Sequence, residues 1–440
     1  MNEKLVDALS EVRDGHLMEA AKPQKSKKKI LLRVAAAAAV VVLLVGVAMA
    51  PPMVTATAVS LPEESRSYGS YEKAVVANAA LSDFYVQASA EFLSGGENAV
   101  WSPANAFIGL SMTAELTQGE SRQQILDLLG VKDLNTLRTY ATDIWEASYW
   151  DKKNQICTLG NSLWLDESLS YEQKTMDELS YYYYASIYKG NMGSKKMNNA
   201  VGAWLERNTG GMLKKSTASV SLPPETVMAL YSTLYFQSKW DHEFNEGKNT
   251  QGTFHGTAGD LTVTYMNKKE AELAYYWADH FSAVHLGLKN GSSMWFLLPD
   301  QGYSTDDILA EGQYMQMIAG QWENCDYYKV NLSVPKFDIS SNLDLQQGLE
   351  KMGVTDIFNA ECADFSALTG DVPVCLTGAN QNVRLKIDEE GVKGAIYIEI
   401  PGAGAMEPPT EIVDFVLDRP FVFVISKNTI PLFVGSVCQP

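Results

Sequence analysis

The chain has 440 residues, 46% of them apolar and 20% charged, which is enough for one large domain or two to three smaller ones. Its formal net charge is −18, and the part after residue 53 carries 27 basic and 48 acidic residues. Such an acidic surface repels nucleic acid and anionic lipid, which excludes nucleic acid as a partner. The excess charge either serves solubility alone or favours cationic partners.

The N-terminal segment has the pattern of a membrane anchor. A basic cluster between residues 25 and 33 precedes a run of twenty uncharged residues, 34–53. At about 1.5 Å per residue, a helix of this length just spans a hydrocarbon core of roughly 30 Å. The positive-inside rule predicts a cytoplasmic segment over 1–29, a transmembrane helix over 30–53 and an extracellular domain after it.

A cleaved signal peptide is the alternative interpretation of this segment. Ala48-Met49-Ala50 resembles a cleavage site, but Pro51 follows it directly. We favour an uncleaved, single-pass anchor in the cell membrane; if it is cleaved, the protein is secreted. Residues 54–70 are rich in Thr, Ser, Pro and Glu and are predicted to be a linker, so the large domain spans 71–440.

Helical patterns dominate the first half of that domain. An apolar helix is predicted over 104–115, and a second over 121–129 with Gly130 as its cap. Apolar residues at helical spacing over 197–205 predict a third helix, which the turn after residue 208 ends. A later helix is predicted over 342–352.

Strand patterns dominate the second half. Residues 284–288 alternate and lead through the turn Asn290-Gly291 into 294–298, which predicts a hairpin. Residues 330–334 alternate in the same way. Two continuous apolar runs, 421–425 and 432–437, are typical of a buried C-terminal hairpin. Helices followed by strands in hairpins predict an α+β fold rather than a doubly wound sheet.

The sequence carries no pattern of a catalytic or metal site. It lacks the Gly-x-Ser-x-Gly turn, the His-Glu-x-x-His motif, a phosphate loop and a dinucleotide fingerprint. The five cysteines include no Cys-x-x-Cys pair, so no zinc site or disulfide scaffold is expected and most should be buried. We therefore expect no enzyme, no cofactor and no metal. A hydrolase with an unrecognised site is the weakest alternative, and turnover of a peptide or ester would revive it.

One late segment combines a strand pattern with an exposed loop. Residues 392–400 alternate with period two, which puts Val392, Ile396 and Ile400 on one face. Residues 401–409 are rich in Gly, Ala and Pro and should be exposed and easily cleaved. Alone, this pattern also fits an ordinary edge strand followed by a loop.

Short motifs in a fixed order along residues 71–440 decide between these interpretations. Together they resemble the serpin family of serine protease inhibitors, and the N-terminal anchor suggests a membrane-anchored, bacterial-type member. The motifs are Asn98-Ala99-Val100-Trp101-Ser102-Pro103-Ala104-Asn105-Ala106; Trp204, Thr209, Gly211 and Leu213; Leu234-Tyr235-Phe236 with Lys239-Trp240; Phe296-Leu297-Leu298-Pro299-Asp300; Val334-Pro335-Lys336-Phe337; Leu349 to Phe358; Ala363-Asp364-Phe365-Ser366; Asp418-Arg419-Pro420-Phe421-Val422-Phe423; and Leu432-Phe433-Val434-Gly435 with Pro440.

The resemblance implies three β-sheets with eight or nine helices and an exposed reactive-centre loop. It suggests an ion pair between Glu389 and Lys336, near Trp240, where the main sheet opens. It assigns the hinge of the loop to Glu389, Glu390, Gly391, Val392, Lys393, Gly394 and Ala395. Behind the sheet it implies a shutter that comprises Ser102, Pro103, Asn105 and Ser232.

The resemblance also implies a cleavage site and a mechanism. Counting sixteen residues from Glu389 puts the scissile bond at Ala405–Met406, and cleavage one residue to either side is also open. In serpins the protease forms an acyl-enzyme, and the freed loop inserts into the main sheet as a new strand. Ala405 and Met406 suit an elastase-like or subtilisin-like protease with a small apolar primary pocket. We expect the inhibitor to be a monomer.

Five residues depart from the pattern of inhibitory members. Val392 replaces Thr or Ser, and Ile396 and Tyr397 are bulky where small residues are usual. Ser232 replaces a buried Asn, and Gln381 replaces a His. Bulk in the loop would slow insertion and turn an inhibitor into a substrate. The alternative function is therefore a non-inhibitory serpin that acts as a surface binding protein or as a protease substrate.

Overall fold

The computed structural model describes residues 56–63, 69–152, 155–210, 220–321, 323–392 and 411–440. The predicted anchor, 30–53, lies outside these ranges, and none of the helices within them is long and apolar enough to cross a bilayer. Ten α-helices occur in the described ranges: α1 (Tyr71–Ala80), α2 (Ser82–Leu93), α3 (Pro103–Leu116), α4 (Gly119–Leu128), α5 (Leu134–Ser148), α6 (Gln173–Tyr182), α7 (Lys195–Asn208), α8 (Thr305–Glu311), α9 (Gln313–Ile318) and α10 (Leu345–Lys351).

The expected number of helices, eight or nine, was therefore too low for the described residues. Two of the breaks between helices are single residues: Leu81 separates α1 from α2, and Gly312, in the left-handed region at φ 70°, separates α8 from α9.

Seventeen strands lie in the same ranges: β1 (Thr57–Ser60), β2 (Ala99–Trp101), β3 (Trp150–Lys152), β4 (Gln155–Asp166), β5 (Ala185–Gly190), β6 (Met228–Lys239), β7 (Thr250–Gly256), β8 (Gly259–Trp277), β9 (Phe281–Gly287), β10 (Ser292–Pro299), β11 (Cys325–Pro335), β12 (Phe337–Asp344), β13 (Asn380–Ile387), β14 (Gly391–Val392), β15 (Ile412–Val416), β16 (Phe421–Lys427) and β17 (Ile430–Val437).

These strands form three sheets. The main sheet has the order β1-β5-β4-β6-β14, with β3 paired to β4. A nine-stranded sheet has the order β15-β11-β8-β9-β10-β16-β17-β2, with β7 paired to β8. Strands β12 and β13 form a separate antiparallel pair. Helices on sheets with hairpin connections confirm the predicted α+β class with three sheets.

The buried helix α3 packs against the main sheet and supports it from behind. Twelve of its fourteen residues are buried. Ser102 caps its N-terminus, because the Ser102 Oγ accepts a hydrogen bond from the Asn105 N–H at 3.4 Å, and Pro103 occupies the first helical position. A serine cap followed by proline is a strong start signal for a helix, which is why the sequence placed this element well.

Other predicted elements differ in detail. The hairpins β9–β10 and β16–β17 are confirmed. The helix predicted over 342–352 begins only at Leu345, because residues 342–344 pair with β13 and the Asp344 carboxylate caps α10 through the Gln346 N–H. Of the five cysteines, only Cys157 and Cys438 are buried, so the expectation that most are buried was wrong.

Part of the predicted linker is also structured. Residues Thr57–Ser60 form β1, which pairs antiparallel with β5 at the outer edge of the main sheet. Val59 packs against the core, and the Ser60 Oγ donates a hydrogen bond to Asp177 on α6 at 3.3 Å. Thr and Val favour strands, and the open edge of β5 offers them backbone partners.

Candidate functional site

A slot runs through the molecule between strands β6 and β13. In the described part of the chain, β6 pairs with β4 along one edge and only with the two residues of β14 along the other, while β13 pairs with β12 alone. The space between the two strands opens into a cavity of about 1180 Å³ that is lined by both strands and by helices behind them. Strand edges with free N–H and C=O groups are templates for a further strand.

Helix α3 forms the floor of this slot. The residues that it contributes recur at helical spacing and so lie on one face: Ser102, Asn105, Ala106, Gly109, Leu110 and Thr113. Leu230, Leu234 and Phe236 of β6 and Val383 and Leu385 of β13 line the walls. The floor and walls of the slot are therefore mainly apolar. Several polar side chains meet at the N-terminal end of α3, among them Asn105, Ser232 and Gln381.

The chain turns into the slot at Gly391 and Val392. The backbone groups of Asp388 and Gly391 exchange two hydrogen bonds of 3.2 Å, which close a tight turn. Gly391 has φ 146°, and a Cβ there would lie 2.3 Å from the Lys239 Cα, so only glycine fits. After it, Val392 pairs with Ser238 and is 2% exposed.

Glu389 is held by an ion pair and by the backbone of the loop between β6 and β7. Its carboxylate pairs with the Lys336 Nζ, as expected, and accepts a hydrogen bond from the Asn249 Nδ2. The Phe244 N–H donates to the Glu389 carbonyl at 3.0 Å. Burial raises the pKa of Glu389, but the hydrogen bonds from Lys336 and Asn249 outweigh it and leave this pKa below its ordinary value of 4.5.

Trp240 fixes the same turn from the side of β6. Its indole Nε1–H donates to the Asp388 carbonyl at 2.9 Å, and its backbone N–H donates to the Glu390 carbonyl at 3.1 Å. The ring is 1% exposed and packs edge-on against Phe244. Trp240 and Lys336, predicted at the sheet opening, therefore both contact the segment 388–390.

A chain of hydrogen bonds crosses the slot at the N-terminus of α3. The Gln381 Oε1 accepts from the Ser102 N–H at 2.8 Å, and its Nε2 donates to the Ser102 carbonyl at 3.1 Å and to the Asn105 Oδ1 at 3.3 Å. The Asn105 Nδ2 donates to the Ser232 Oγ at 2.6 Å, and the Ser232 hydroxyl donates to the Asn161 Oδ1 at 2.7 Å.

This network joins four elements, since Gln381 lies on β13, Asn105 on α3, Ser232 on β6 and Asn161 on β4. It also explains two of the departures noted in the sequence. The amide absent from position 232 is supplied by Asn105, and the Gln381 side chain makes one donor and one acceptor contact with the same turn of backbone, at Ser102. Ser232 and Gln381 are therefore both hydrogen-bonded to Asn105, which lies between them.

Comparison with known proteins decides what this arrangement is. The profile of the serpin (serine protease inhibitor) family matches residues 79–440. The chain belongs to the serpin family. Alpha-1-antiproteinase S of Cavia porcellus is 27% identical over 362 residues, 79% of this chain and 86% of that protein. Serpin-ZX of Arabidopsis thaliana is 26% identical over 373 residues, 79% and 93% of the two chains.

The solved structures agree on the fold. The thermophilic serpin Tengpin in its native state superposes with a TM-score of 0.72 at 24% identity, over 87% of this chain and 98% of that one. Membership of the family supports serine protease inhibition at the level of the family.

The structure brings together only part of the predicted serpin site. The hinge residues Glu389, Glu390, Gly391 and Val392 meet Trp240 and Lys336, and Ser102, Pro103, Asn105 and Ser232 lie at the shutter. The hinge residues Lys393, Gly394 and Ala395, the bulky Ile396 and Tyr397, and the reactive bond Ala405–Met406 lie outside the described residues.

Sequence reasoning missed two polar contributors to the site. Asn249 binds Glu389 from a loop 140 positions earlier, and Asn161 extends the shutter network from β4. Neither residue stands in a recognisable motif. Their one available signal is an asparagine beside an otherwise apolar strand pattern, as at Asn161, which is 1% exposed.

Proposed function

We propose that this serpin is a suicide inhibitor of serine proteases of the elastase-like or subtilisin-like class, and that it has no enzymatic activity of its own. The protease cleaves at Ala405–Met406 and forms an acyl-enzyme with the Ala405 carbonyl. The freed loop then fills the slot between β6 and β13. One observation carries the proposal: the two residues at the root of the loop, Gly391 and Val392, already pair with β6 inside the slot.

The register of β14 defines where the rest of the loop would lie. Gly391 pairs with Lys239 and Val392 with Ser238. If this antiparallel register continues, residues 393–402 come to lie opposite Gln237 to Met228, the remaining length of β6. Residues directly opposite in a ladder share a face. Ile398 would then lie opposite Ser232, on the face that contacts α3.

The same register separates the two bulky residues of the loop. Ile396 falls opposite Leu234, which lines the slot, so its side chain enters apolar surroundings. In the same register Tyr397 falls opposite Thr233, on the face directed away from α3, so its ring would not pack against that helix. Val392 is itself already buried. These placements favour inhibition over the alternative, a non-inhibitory serpin that serves as a surface binding protein or as a protease substrate.

Mixing the purified protein with pancreatic elastase, subtilisin and trypsin tests the proposal. We expect a complex with elastase or subtilisin that survives SDS and boiling, and mass spectrometry of the released C-terminal peptide should begin at Met406. Trypsin should give no complex, because neither Lys nor Arg lies near this bond. Cleavage at 405–406 by all active proteases with no stable complex would support the substrate alternative.

A hinge variant separates cleavage from trapping. Val392→Arg places a charge at a buried position of the slot and should slow insertion, since an unpaired buried charge is costly. We expect this variant to be cut at the same bond with at least a tenfold loss of complex. Val392→Thr, which has nearly the same shape, is the matched control and should keep trapping. Equal complex yields for all three proteins would contradict the mechanism.

We further propose that residues 30–53 anchor the serpin in a cell membrane with residues 1–29 in the cytoplasm. The basic cluster and the twenty uncharged residues after it support this topology. Expressed full-length chain should stay with membranes after extraction at high pH, and external protease should remove the serpin domain from intact cells. Recovery of a chain that begins near residue 51 from the medium would instead show cleavage and secretion.

A further inference from the structure

A buried lysine without a countercharge lies where two hairpins turn, outside the slot. Lys427, the last residue of β16, is 5% exposed, and its Nζ donates to the Asn290 carbonyl at 2.6 Å. The Nζ also lies 4.9 Å from the centre of the Trp150 ring. Among the described residues, no carboxylate forms an ion pair with Lys427, and burial lowers the pKa of this amine. Within the described ranges, the acidic group that acts on this ammonium is the Cys157 thiol, which raises the pKa of Lys427 by less than burial lowers it.

Other polar side chains in the same place have unused hydrogen-bonding capacity. The Asn290 Nδ2, the Ser292 Oγ and the Thr429 Oγ1 lack a hydrogen-bond partner within the described ranges, and all three residues are at most 8% exposed. Ser292 lies opposite Lys427 in the β10–β16 ladder. Asn290 accepts from the Ser292 N–H at 3.0 Å, and Thr429 follows two residues after Lys427. The four residues thus belong to two adjoining hairpin turns, and we refer to them as one cluster.

A fourth unpartnered polar group, the Ser148 hydroxyl, lies at the C-terminal end of helix α5. The Asn428 Nδ2 donates to the Ala147 carbonyl at 2.8 Å, which joins the β16–β17 turn to the end of α5. The next residue, Ser148, is fully buried, and its Oγ has no partner among the described residues. Buried polar groups in folded proteins are nearly always hydrogen-bonded, so several unpartnered ones in these adjoining turns point to a ligand that binds them.

The chemistry of the cluster defines that ligand. It offers an ammonium, an amide N–H and hydroxyl groups, all of which donate hydrogen bonds, and it contains no carboxylate. A cation is excluded by the lysine, and a single positive charge balances a single negative one. Because every member of the cluster is buried, a ligand bound by these groups has to be small.

We propose that Lys427, Asn290, Ser292 and Thr429 bind a small monovalent inorganic anion of the halide type. The site adjoins the sheet opening, because Leu288 forms a β-bridge with Trp240 and the Lys289 N–H donates to the Lys239 carbonyl at 3.0 Å. A bound anion fixes the turn after Leu288 and so supports the strand that holds the hinge. Halide concentration then adjusts the stability of the intact inhibitor.

Thermal unfolding of the full chain in sodium chloride, sodium bromide and sodium gluconate at one ionic strength tests the site. A ligand that binds only the folded state raises the midpoint by about 2 °C for each tenfold increase in concentration above its Kd in a protein of this size. We expect this rise in chloride and bromide for the wild type and its loss in Lys427→Met. Equal midpoints in all three salts, or an equal response in both proteins, would overturn the proposal.

Lys268→Met is the matched control. Lys268 is also partly buried and its ammonium also contacts backbone, at the His242 carbonyl, but it stacks on Phe244 without a group of unpartnered hydroxyls. This variant should keep the halide response. Loss of the response in Lys268→Met as well would show a general effect of a removed charge and would count against the site.

A crystal grown in sodium bromide gives a direct readout that does not depend on any variant. We expect an anomalous difference peak within about 3.5 Å of the Lys427 Nζ, and a weaker peak in Ser292→Ala. If Lys427→Met does not fold, this experiment decides alone. Density without anomalous signal means that an ordered water fills the cluster, and the proposal is then wrong.

Discussion

Gly391 is the residue at which the loop turns from the surface into the main sheet. Its φ of 146° and the 2.3 Å distance from a Cβ to the Lys239 Cα leave no room for a side chain. Lys239 lies on the strand that would have to move, and that strand is fixed by its ladder to β4. A Cβ at position 391 would overlap backbone atoms of Lys239 and Ser238, and backbone relaxes less easily than a flexible side chain.

We predict that Gly391→Ala displaces the hinge from β6. The expected results are a native state less stable by about 1–3 kcal/mol and a higher stoichiometry of inhibition, because strain at this φ is added to a backbone overlap. Titration of a target protease and denaturant unfolding measure the two effects. Gly370→Ala is the control, since a Cβ there meets nothing within 4 Å. An unchanged stoichiometry in Gly391→Ala would contradict the role of this turn.

Glu389 predicts a dependence of stability on pH. Because its folded-state pKa is lowered, the carboxylate contributes stability above the ordinary value of 4.5, and this contribution is lost as the pH falls from there through the folded pKa. We expect the free energy of unfolding of the wild type to fall more steeply below pH 4.5 than that of Glu389→Gln, by on the order of 1 kcal/mol. Denaturant unfolding at a series of pH values measures the difference. The exposed Glu361→Gln should behave as wild type; identical profiles for all three would refute the assignment.

At the scale of elements, the shutter network holds α3, β6 and β13 around the slot. Its central contact is the Asn105 Nδ2 with the Ser232 Oγ, at 2.6 Å. We predict that Asn105→Ala destabilises the intact protein by about 1–3 kcal/mol, because the Ser232 and Gln381 groups lose a buried partner. Differential scanning calorimetry measures the loss.

A reciprocal exchange tests whether the pair acts as a unit. The double variant Asn105→Ser with Ser232→Asn again places one amide opposite one hydroxyl and should recover at least half of the stability that Asn105→Ser alone loses. Additive losses in the double variant would show that the two residues act independently.

Strand β1 extends the main sheet at its outer edge, beside β5. Its ladder with β5, the packing of Val59 and the Ser60–Asp177 hydrogen bond should together stabilise the outer edge. A chain beginning at residue 61 should therefore unfold at a lower denaturant concentration than one beginning at residue 54, with a loss of about 1–2 kcal/mol. Equal midpoints would mean that β1 contributes nothing to the sheet.

The elements differ in how far the sequence alone specifies them. Local signals were sufficient for α3, where Ser102 and Pro103 mark the start, and for the hairpin at Asn290-Gly291. Local signals did not predict β1, because a segment rich in Thr and Ser is typical of a linker. Its pairing depends on the edge of β5, which is distant in sequence. The network from Gln381 to Ser102 joins residues 279 positions apart, and no periodicity encodes that contact.

The site itself was predicted through family resemblance rather than through local pattern. The Glu389–Lys336 ion pair joins two segments that are distant in sequence. It could be predicted only because the surrounding motifs align both residues with the family pattern. Asn249 has no such motif and was missed. Contacts that depend on the packing of three elements are set by the whole fold, whereas helix starts and hairpin turns are set by a few neighbouring residues.

At the scale of the whole molecule, a cavity of about 1180 Å³ reaches between the facing edges of β6 and β13 in the described part of the chain. A strand in that slot gains backbone hydrogen bonds on both sides and buries Ile396, Ile398 and Ile400 against α3 and the walls, so the cleaved form should be the more stable one. Under the proposed mechanism, the turn at Gly391, the Glu389 contacts and the shutter network would hold the intact chain in the less stable state.

The thermal midpoint of the protein before and after cleavage at Ala405–Met406 tests this claim most directly. A gain of several kcal/mol on insertion corresponds to a rise of roughly 10 °C or more for a domain of this size. The account predicts such a rise in the nicked protein, with both fragments still associated. A nicked protein that melts at or below the temperature of the intact one would contradict it.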